Sequence, residues 1–157
     1  MAALRKVSGR AARAGLGNLI YVRAAVETLP PELLAVADRV SVILPWGSLL
    51  AAVARPSVAV LQGVRALCGA GALLTVVVSV DAARDLAEAG RLGLPLLDSA
   101  HLAGPLAAGY AAAGLAVASV RPLDADQLAR WPSTWARRLA HGRPRAVFQI
   151  EARALPR

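Results

Sequence analysis

The sequence predicts an α/β domain with a mostly parallel sheet. Stretches with helical periodicity alternate with short apolar stretches, which is the pattern of strands joined by crossover helices. The segment 72–80 (ALLTVVVSV) is an uninterrupted apolar run rich in valine, typical of a strand covered on both faces. The closing stretch AVFQIEARAL alternates apolar and polar residues and follows a long connection, so it predicts an antiparallel strand pair at one edge. The length of 157 residues suits one domain spanning 1–157.

The first 45 residues predict a basic helix and two strands. Apolar residues recur at helical spacing over 2–14, the basic residues lie largely on another face, and Gly15 follows as a stop. The apolar segments 18–24 and 39–45 predict two buried parallel strands, of which Pro45 ends the second.

The rest of the chain predicts further alternation. Helices are expected over 48–54 and from Pro56 to about Cys68, and the glycines of LCGAGALL predict a turn before the strand at 72–80. A looser stretch with one helical turn is expected from 81 to 98. A helix over 99–113, a strand over 115–121 and a short acidic helix from Asp124 follow.

The charge balance favours an acidic partner. The 18 lysines and arginines exceed the 10 acidic residues, giving a net charge of +8 that suits nucleic acid, with an anionic membrane surface as the alternative. The uncharged run 102–120 has the length of a membrane span, but Pro105 and three glycines favour a helix followed by a strand.

Cys68 is the only cysteine, so an internal disulfide is excluded. The charged start lacks the apolar core of a signal peptide, which favours the cytoplasm.

Several kinds of chemistry find no support in the sequence. His101 and His141 stand apart from each other and from Cys68, so neither a metal site nor a Cys/His nucleophile is indicated. No phosphate-binding glycine loop follows a strand.

Two tryptophan motifs are the strongest candidates for a site. In LPWGSLL, Gly47 permits a sharp turn after the strand, so Trp46 either projects over the sheet edge or caps the core. In STWARR, Trp135 adjoins Arg137 and Arg138, with Arg143 close behind, a combination that suits an unstacked base and its phosphates. A plain surface cation–π arrangement is the alternative for the second motif.

Three segments together carry a resemblance to a known family. GLGNLIYVRAAVETLPPE, ILPWGSLL and STWARRLAHGR occur in the order and approximate spacing of the 16S ribosomal RNA methyltransferases that modify N1 of a decoding-site adenine and confer kanamycin and apramycin resistance. The resemblance runs over nearly the whole chain and is poor over 81–100. It implies a Rossmann-like class I fold, S-adenosylmethionine as methyl donor, and 16S rRNA in the 30S subunit as partner, with the chain acting as a monomer without a metal.

The resemblance also implies roles for individual residues. Trp46 and Trp135 match the tryptophans that hold the flipped adenine, and Val26, Glu27 and Ser48 match contacts to the donor or its pocket. The residues that match its RNA-binding positions are Lys6, Arg10, Arg13, Arg137, Arg138 and Arg143.

Complete members of that family begin with two further strands, which bear the donor's acidic and glycine contacts. The chain is therefore expected to lack the first two strands of the fold, to bind the donor weakly, and to expose unpaired strand edges. An RNA-binding remnant without catalytic activity is the alternative function.

Overall fold

A computed structural model of the protein describes residues 2–81 and 85–156. The helices of these residues are α1 (Ala2–Arg13), α2 (Gly47–Ala54), α3 (Val58–Leu67), α4 (Leu86–Leu92), α5 (Ser99–His101), α6 (Ala107–Ala112), α7 (Ala125–Ala129) and α8 (Thr134–Ala140). The strands are β1 (Ala37–Ile43), β2 (Cys68–Val78), β3 (Leu115–Pro122) and β4 (Phe148–Ala154). A 3₁₀ turn at Pro31–Leu33 and a π-helical turn at Leu102–Leu106 complete the regular structure.

The four strands form one sheet in the order β1-β2-β4-β3. β1 pairs with β2 in parallel, whereas β4 is antiparallel to both of its neighbours. Three strands therefore run in one direction, and only the C-terminal strand opposes them. This confirms the predicted α/β fold with a mostly parallel sheet and an antiparallel C-terminal strand, in which β3 and β4 form the pair at one edge.

The central strand β2 separates two apolar cores. Val76 and Val78 face the larger core, which α2, α3 and α6 cover, while Val77 faces a smaller one beneath α7 and α8. All three valines are fully buried. The prediction that the valine-rich strand is covered on both faces is thus confirmed.

The helical stretch predicted over 99–113 is present and contains a local π-helical turn. Pro105 lies inside that turn, where its missing N–H and its ring disturb ordinary α-helical bonding. Tyr110 is buried behind it and donates a hydrogen bond to the carbonyl of Val53 at 3.3 Å, so α6 is fixed against α2. Burial raises the pKa of Tyr110.

The uncharged run 102–120 is not a single element, because helix α6 ends at Ala112 and β3 begins at Leu115. Among the described residues, no single helix is long and apolar enough to cross a membrane. Only α2 and α3 taken together, with a bend of 96° between them, have the length and composition.

The prediction of a strand over 18–24 is wrong. These residues form no helix or strand, and the side chains of Leu19, Ile20 and Val22 are exposed. A strand needs a neighbour for its backbone N–H and C=O groups. In the described sheet β1 forms the edge, and this segment pairs with none of the four strands.

The prediction of a turn in LCGAGALL is also wrong. β2 begins at Cys68, directly after α3, so Gly69 and Gly71 lie within the strand. The glycines instead mark an irregularity: Ala37 pairs with Cys68, whereas Arg39 pairs with Leu73. Gly71 has a φ of 72°, a conformation that glycine adopts without steric cost.

Candidate functional site

The loop after β1 presents Trp46 to solvent. Leu44 adopts a left-handed conformation with a φ of 47°, and its N–H donates to the carbonyl of Val77 at 2.8 Å. Gly47 turns the chain again with a φ of 62° and begins α2. Between these two turns the Trp46 side chain is 58% exposed. The alternative in which Trp46 caps the core is therefore excluded.

Helix α8 presents Trp135 in a similar way. The Ser133 hydroxyl caps the helix by accepting from the N–H of Ala136 at 3.3 Å, and the fully buried Ala136 fixes the inner face. Trp135 lies on the outer side and is 48% exposed. The third tryptophan, Trp131, is half-buried against the smaller core. Two of the three indoles are thus left outside the hydrophobic core.

Trp46 and Trp135, which are far apart in sequence, line one cleft. Together with Leu44 they line an open cleft of about 370 Å³. The structure therefore brings together the two side chains that the resemblance paired, and their role as a base clamp stays a prediction.

A buried ion pair beside this cleft was missed from the sequence. Arg145 Nη2 forms an ion pair with Asp85 Oδ2, and the two side chains are 11% and 8% exposed. Arg145 Nε also donates to the Ser79 hydroxyl at 2.7 Å, and Ser79 donates to the carbonyl of Ala146 at 2.6 Å. A narrow recess lined by Ser79, Arg145 and both exposed tryptophans connects this network to the cleft.

The network holds the segment that follows α8 against the end of β2. Asp85 also accepts from the N–H of Asp81 at 2.9 Å, so its carboxylate orders the chain on both sides of residues 82–84. Those three residues, which fall in the stretch predicted to be loose, lie outside the described part. The sequence signal was weak: a serine at the end of the strongest predicted strand is followed by a carboxylate, and nothing indicates Arg145 as their partner.

The arginines predicted to bind RNA lie on the surface in two groups. Arg137 and Arg138 are exposed on α8, and Arg143 is exposed in the following loop, so all three are near Trp135 along the chain. Arg10 and Arg13 are exposed in the last turn of α1. Lys6 belongs to the same helix, and its side chain lies outside the described part.

Of the residues predicted to hold the donor, Val26 and Glu27 do not line the cleft that contains Ser48. Val26 is half-buried against the larger core and Glu27 is exposed; both lie in a turn closed by a hydrogen bond from Thr28 to Ala25 at 3.1 Å. Ser48 lies in the first turn of α2, not in a loop, and lines a separate cleft of about 570 Å³ beside Arg55 and Arg91.

His101 and Cys68 have structural surroundings, whereas His141 is exposed. His101 Nε2 lies 2.7 Å from the carbonyl of Ala54, and Cys68 is buried, which raises the pKa of its thiol. In the described part of the chain, no three His, Cys, Asp or Glu residues are grouped to hold a metal ion.

Comparison with known proteins agrees with the fold. Residues 1–154 match the family model NpmA, 16S rRNA (adenine(1408)-N(1))-methyltransferase. An enzyme of that description from Escherichia coli is 35% identical over 147 residues, which are 93% of this chain and 67% of the relative. The chain thus spans about two thirds of that relative's length.

Solved structures give the same result. The aminoglycoside resistance methyltransferase NpmB1 superposes with a TM-score of 0.70 at 41% identity, over 85% of this chain and 60% of that one. A mutant of the 16S rRNA (adenine(1408)-N(1))-methyltransferase from Catenulisporales acidiphilia, solved with the cosubstrate SAM, has a TM-score of 0.74 at 35% identity, over 89% and 63%. The fold is accordingly that of a methyltransferase acting on ribosomal RNA. The chain belongs to the 16S rRNA (adenine(1408)-N(1))-methyltransferase family.

Proposed function

We propose that this chain methylates N1 of adenine 1408 in the 16S rRNA of the 30S subunit, with S-adenosylmethionine as donor, and thereby gives aminoglycoside resistance. The observation that carries the proposal is the cleft between Trp46 and Trp135. Two exposed indoles on one open cleft offer two flat surfaces, which is what an unstacked base requires.

The catalytic contribution of the chain in this proposal is positioning. Stacking on Trp46 and Trp135 replaces the stacking that the adenine loses when it leaves the RNA helix. N1 of adenine has a free lone pair, so it needs no base before attack, and holding it in a fixed direction supplies much of the rate. Bound S-adenosylmethionine supplies an electrophilic methyl group. The proton later lost from the exocyclic amine can pass to water.

The residues of the Ala25–Thr28 turn fit the adenosine end of the donor. The half-buried Val26 offers apolar surface to a purine ring, and the exposed Glu27 carboxylate can accept from an amine or a ribose hydroxyl. Ser48 fits less well, because its cleft also contains two guanidinium groups, which disfavour a sulfonium cation.

The exposed arginines extend the proposed RNA surface beyond the cleft. Arg137, Arg138 and Arg143 follow Trp135 closely enough to contact the phosphates next to the flipped base. Arg10, Arg13 and Lys6 form a second basic group on α1. This division assigns base recognition to the indoles and backbone binding to the cations. We propose that the protein acts as a monomer in the bacterial cytoplasm, where this substrate would be found.

Methylation of purified 30S subunits tests the proposal. The wild-type chain should transfer a labelled methyl group from S-adenosylmethionine to adenine 1408, and Trp46→Ala and Trp135→Ala should each lower the rate at least ~100-fold, because stacking on an aromatic ring is worth about 1–3 kcal/mol per base and alignment is lost as well. Trp131→Phe, which changes the core tryptophan, is the control and should keep the rate. A wild-type chain that binds 30S subunits without methylating them would contradict the enzyme proposal and identify an RNA-binding protein. Rates unchanged by both alanine substitutions would exclude the clamp.

A further inference from the structure

Gly63 on α3 lies directly beneath the turn that contains Val26 and Glu27. A Cβ atom at Gly63 would lie 2.0 Å from the carbonyl oxygen of Val26 and 2.7 Å from its carbonyl carbon. The N–H nitrogen of Glu27 would be 3.3 Å away. All three are backbone atoms, so no side-chain rotation could relieve the contact.

The size of this steric overlap shows that the turn can lie this close to α3 only when residue 63 is a glycine. Ordinary contacts of a Cβ begin at 3.4 Å, so an alanine would have to push the Val26 peptide away by about 1.4 Å. The segment that follows the turn is also held against α3, because the N–H of Ala35 donates a hydrogen bond to the carbonyl of Ala66 at 2.8 Å. The segment from the turn to Ala35 therefore lies along α3. It can approach the helix this closely at Gly63 because glycine has no side chain.

We infer that Gly63 is a positioning residue for donor binding: by allowing the Val26–Glu27 backbone to rest on α3, it fixes where the adenosine of S-adenosylmethionine is held. The inference rests on the proposed function and adds to it a residue that contacts no substrate. A displacement of about 1 Å is enough to disturb a site built from fixed contacts. The RNA-facing tryptophans lie on other elements and should be unaffected.

Two other glycines provide matched controls. Gly109 on α6 is packed just as tightly, since its Cβ would lie 2.4 Å from Cβ of Pro56, but it does not touch the turn. Gly90 on α4 has open space where its Cβ would be. Gly109→Ala therefore reports the effect of overpacking α6 against the connection between α2 and α3, and Gly90→Ala reports the effect of a helical alanine alone.

Calorimetric titration with S-adenosylmethionine, together with binding to 30S subunits, tests the inference. Gly63→Ala should raise the dissociation constant for the donor at least ~10-fold, a change of about 1.4 kcal/mol, while binding to 30S subunits changes less than ~2-fold. Gly109→Ala should lower the melting temperature and leave the donor constant unchanged, and Gly90→Ala should leave the donor constant unchanged and raise the melting temperature slightly, because alanine favours a helix more than glycine does. Equal donor affinity for Gly63→Ala and wild type would overturn the inference and leave the proposed function intact. A wild-type chain that does not bind the donor would overturn both.

Hydrogen exchange of the wild-type protein supplies an independent measurement if Gly63→Ala does not fold. Addition of S-adenosylmethionine should slow amide exchange in a peptide covering 24–30, and the control peptide 146–154 should not change. Donor binding without protection of 24–30 would refute the role given to the turn, and hence to Gly63.

Discussion

Two ion pairs of this protein differ sharply in their surroundings. Asp85 and Arg145 are both nearly buried, whereas Arg91, which donates two hydrogen bonds to Glu88, is largely exposed. Removing one partner of a buried pair leaves the other charge without compensation in a poorly solvated place. An exposed pair of neighbours on one helix loses little when it is broken.

Asp85→Ala is therefore expected to lower the free energy of unfolding by about 3–5 kcal/mol, because Arg145 would remain buried without its carboxylate. Urea denaturation followed by circular dichroism measures the change. Glu88→Ala is the matched control and should leave the unfolding midpoint unchanged. Similar midpoints for the two variants would mean that water reaches Arg145 and that the pair does not hold the chain after α8 against the end of β2.

At this scale the sequence predicts surface residues better than buried polar ones. Trp46 and Trp135 could be recognised because each stands in a short motif with a turn or with arginines. Asp85 and Ser79 could not, because their importance depends on Arg145, which is 60 residues from Asp85 in the chain and reaches it only in the folded structure.

The helices around the tryptophan cleft are short, so their ends determine much of their stability. The Asp124 side chain accepts from the N–H of Gln127 at 2.7 Å, and the Gln127 side chain accepts from the N–H of Asp124 at 3.2 Å. This reciprocal pair is a capping box, and it begins a helix of five residues. α7 packs beside α8, which presents Trp135.

Asp124→Ala should lower the free energy of unfolding by about 1 kcal/mol, within a usual range of about 0.5–2 kcal/mol, since the N–H of Gln127 loses its acceptor. Thermal and urea unfolding provide the measurement. Asp126→Ala, on the same first turn without a capping hydrogen bond, should have a smaller effect. Equal losses for both variants would attribute the effect to the charge near the helix start and not to the capping box.

Whether an element was predictable depended on whether its partners are local. The helix over 99–113 and the strand at 72–80 follow from periodicity and composition, and the start of α7 follows from Asp124. The segment 18–24 has the composition of a strand, but a strand is completed by a neighbour, and periodicity does not report on the neighbour. The irregular start of β2 was not predicted for a similar reason: its glycines lie where the pairing with β1 changes register, and that pairing is not visible in the local sequence.

The sheet has β1 at one edge, and the chain that precedes β1 carries many exposed apolar side chains. Seven exposed large apolar residues lie between 16 and 36: Leu16, Leu19, Ile20, Tyr21, Val22, Leu34 and Val36. The free N–H and C=O groups of an edge strand can pair with another chain, and adjoining apolar surface strengthens such contacts. The net charge of +8 opposes association at long range, but salt screens that repulsion.

We expect the chain to be a monomer when dilute, as proposed above, and to associate as its concentration rises at physiological salt. Ile20→Lys with Val36→Lys should suppress this association. Both side chains are strongly exposed, at 83% and 63%, so the added charges should leave the fold intact and make burial of this edge costly. Light scattering coupled to size-exclusion chromatography, over a range of protein concentrations, gives the mass directly.

Leu86→Lys with Leu96→Lys is the control. It adds the same charge at two exposed positions far from β1 in the chain and should leave association as it is in the wild type. If both double variants reduce association equally, net charge is the cause and the β1 edge is not the contact. A wild-type chain that stays monomeric at all concentrations would show that the edge is harmless and would support the predicted monomer.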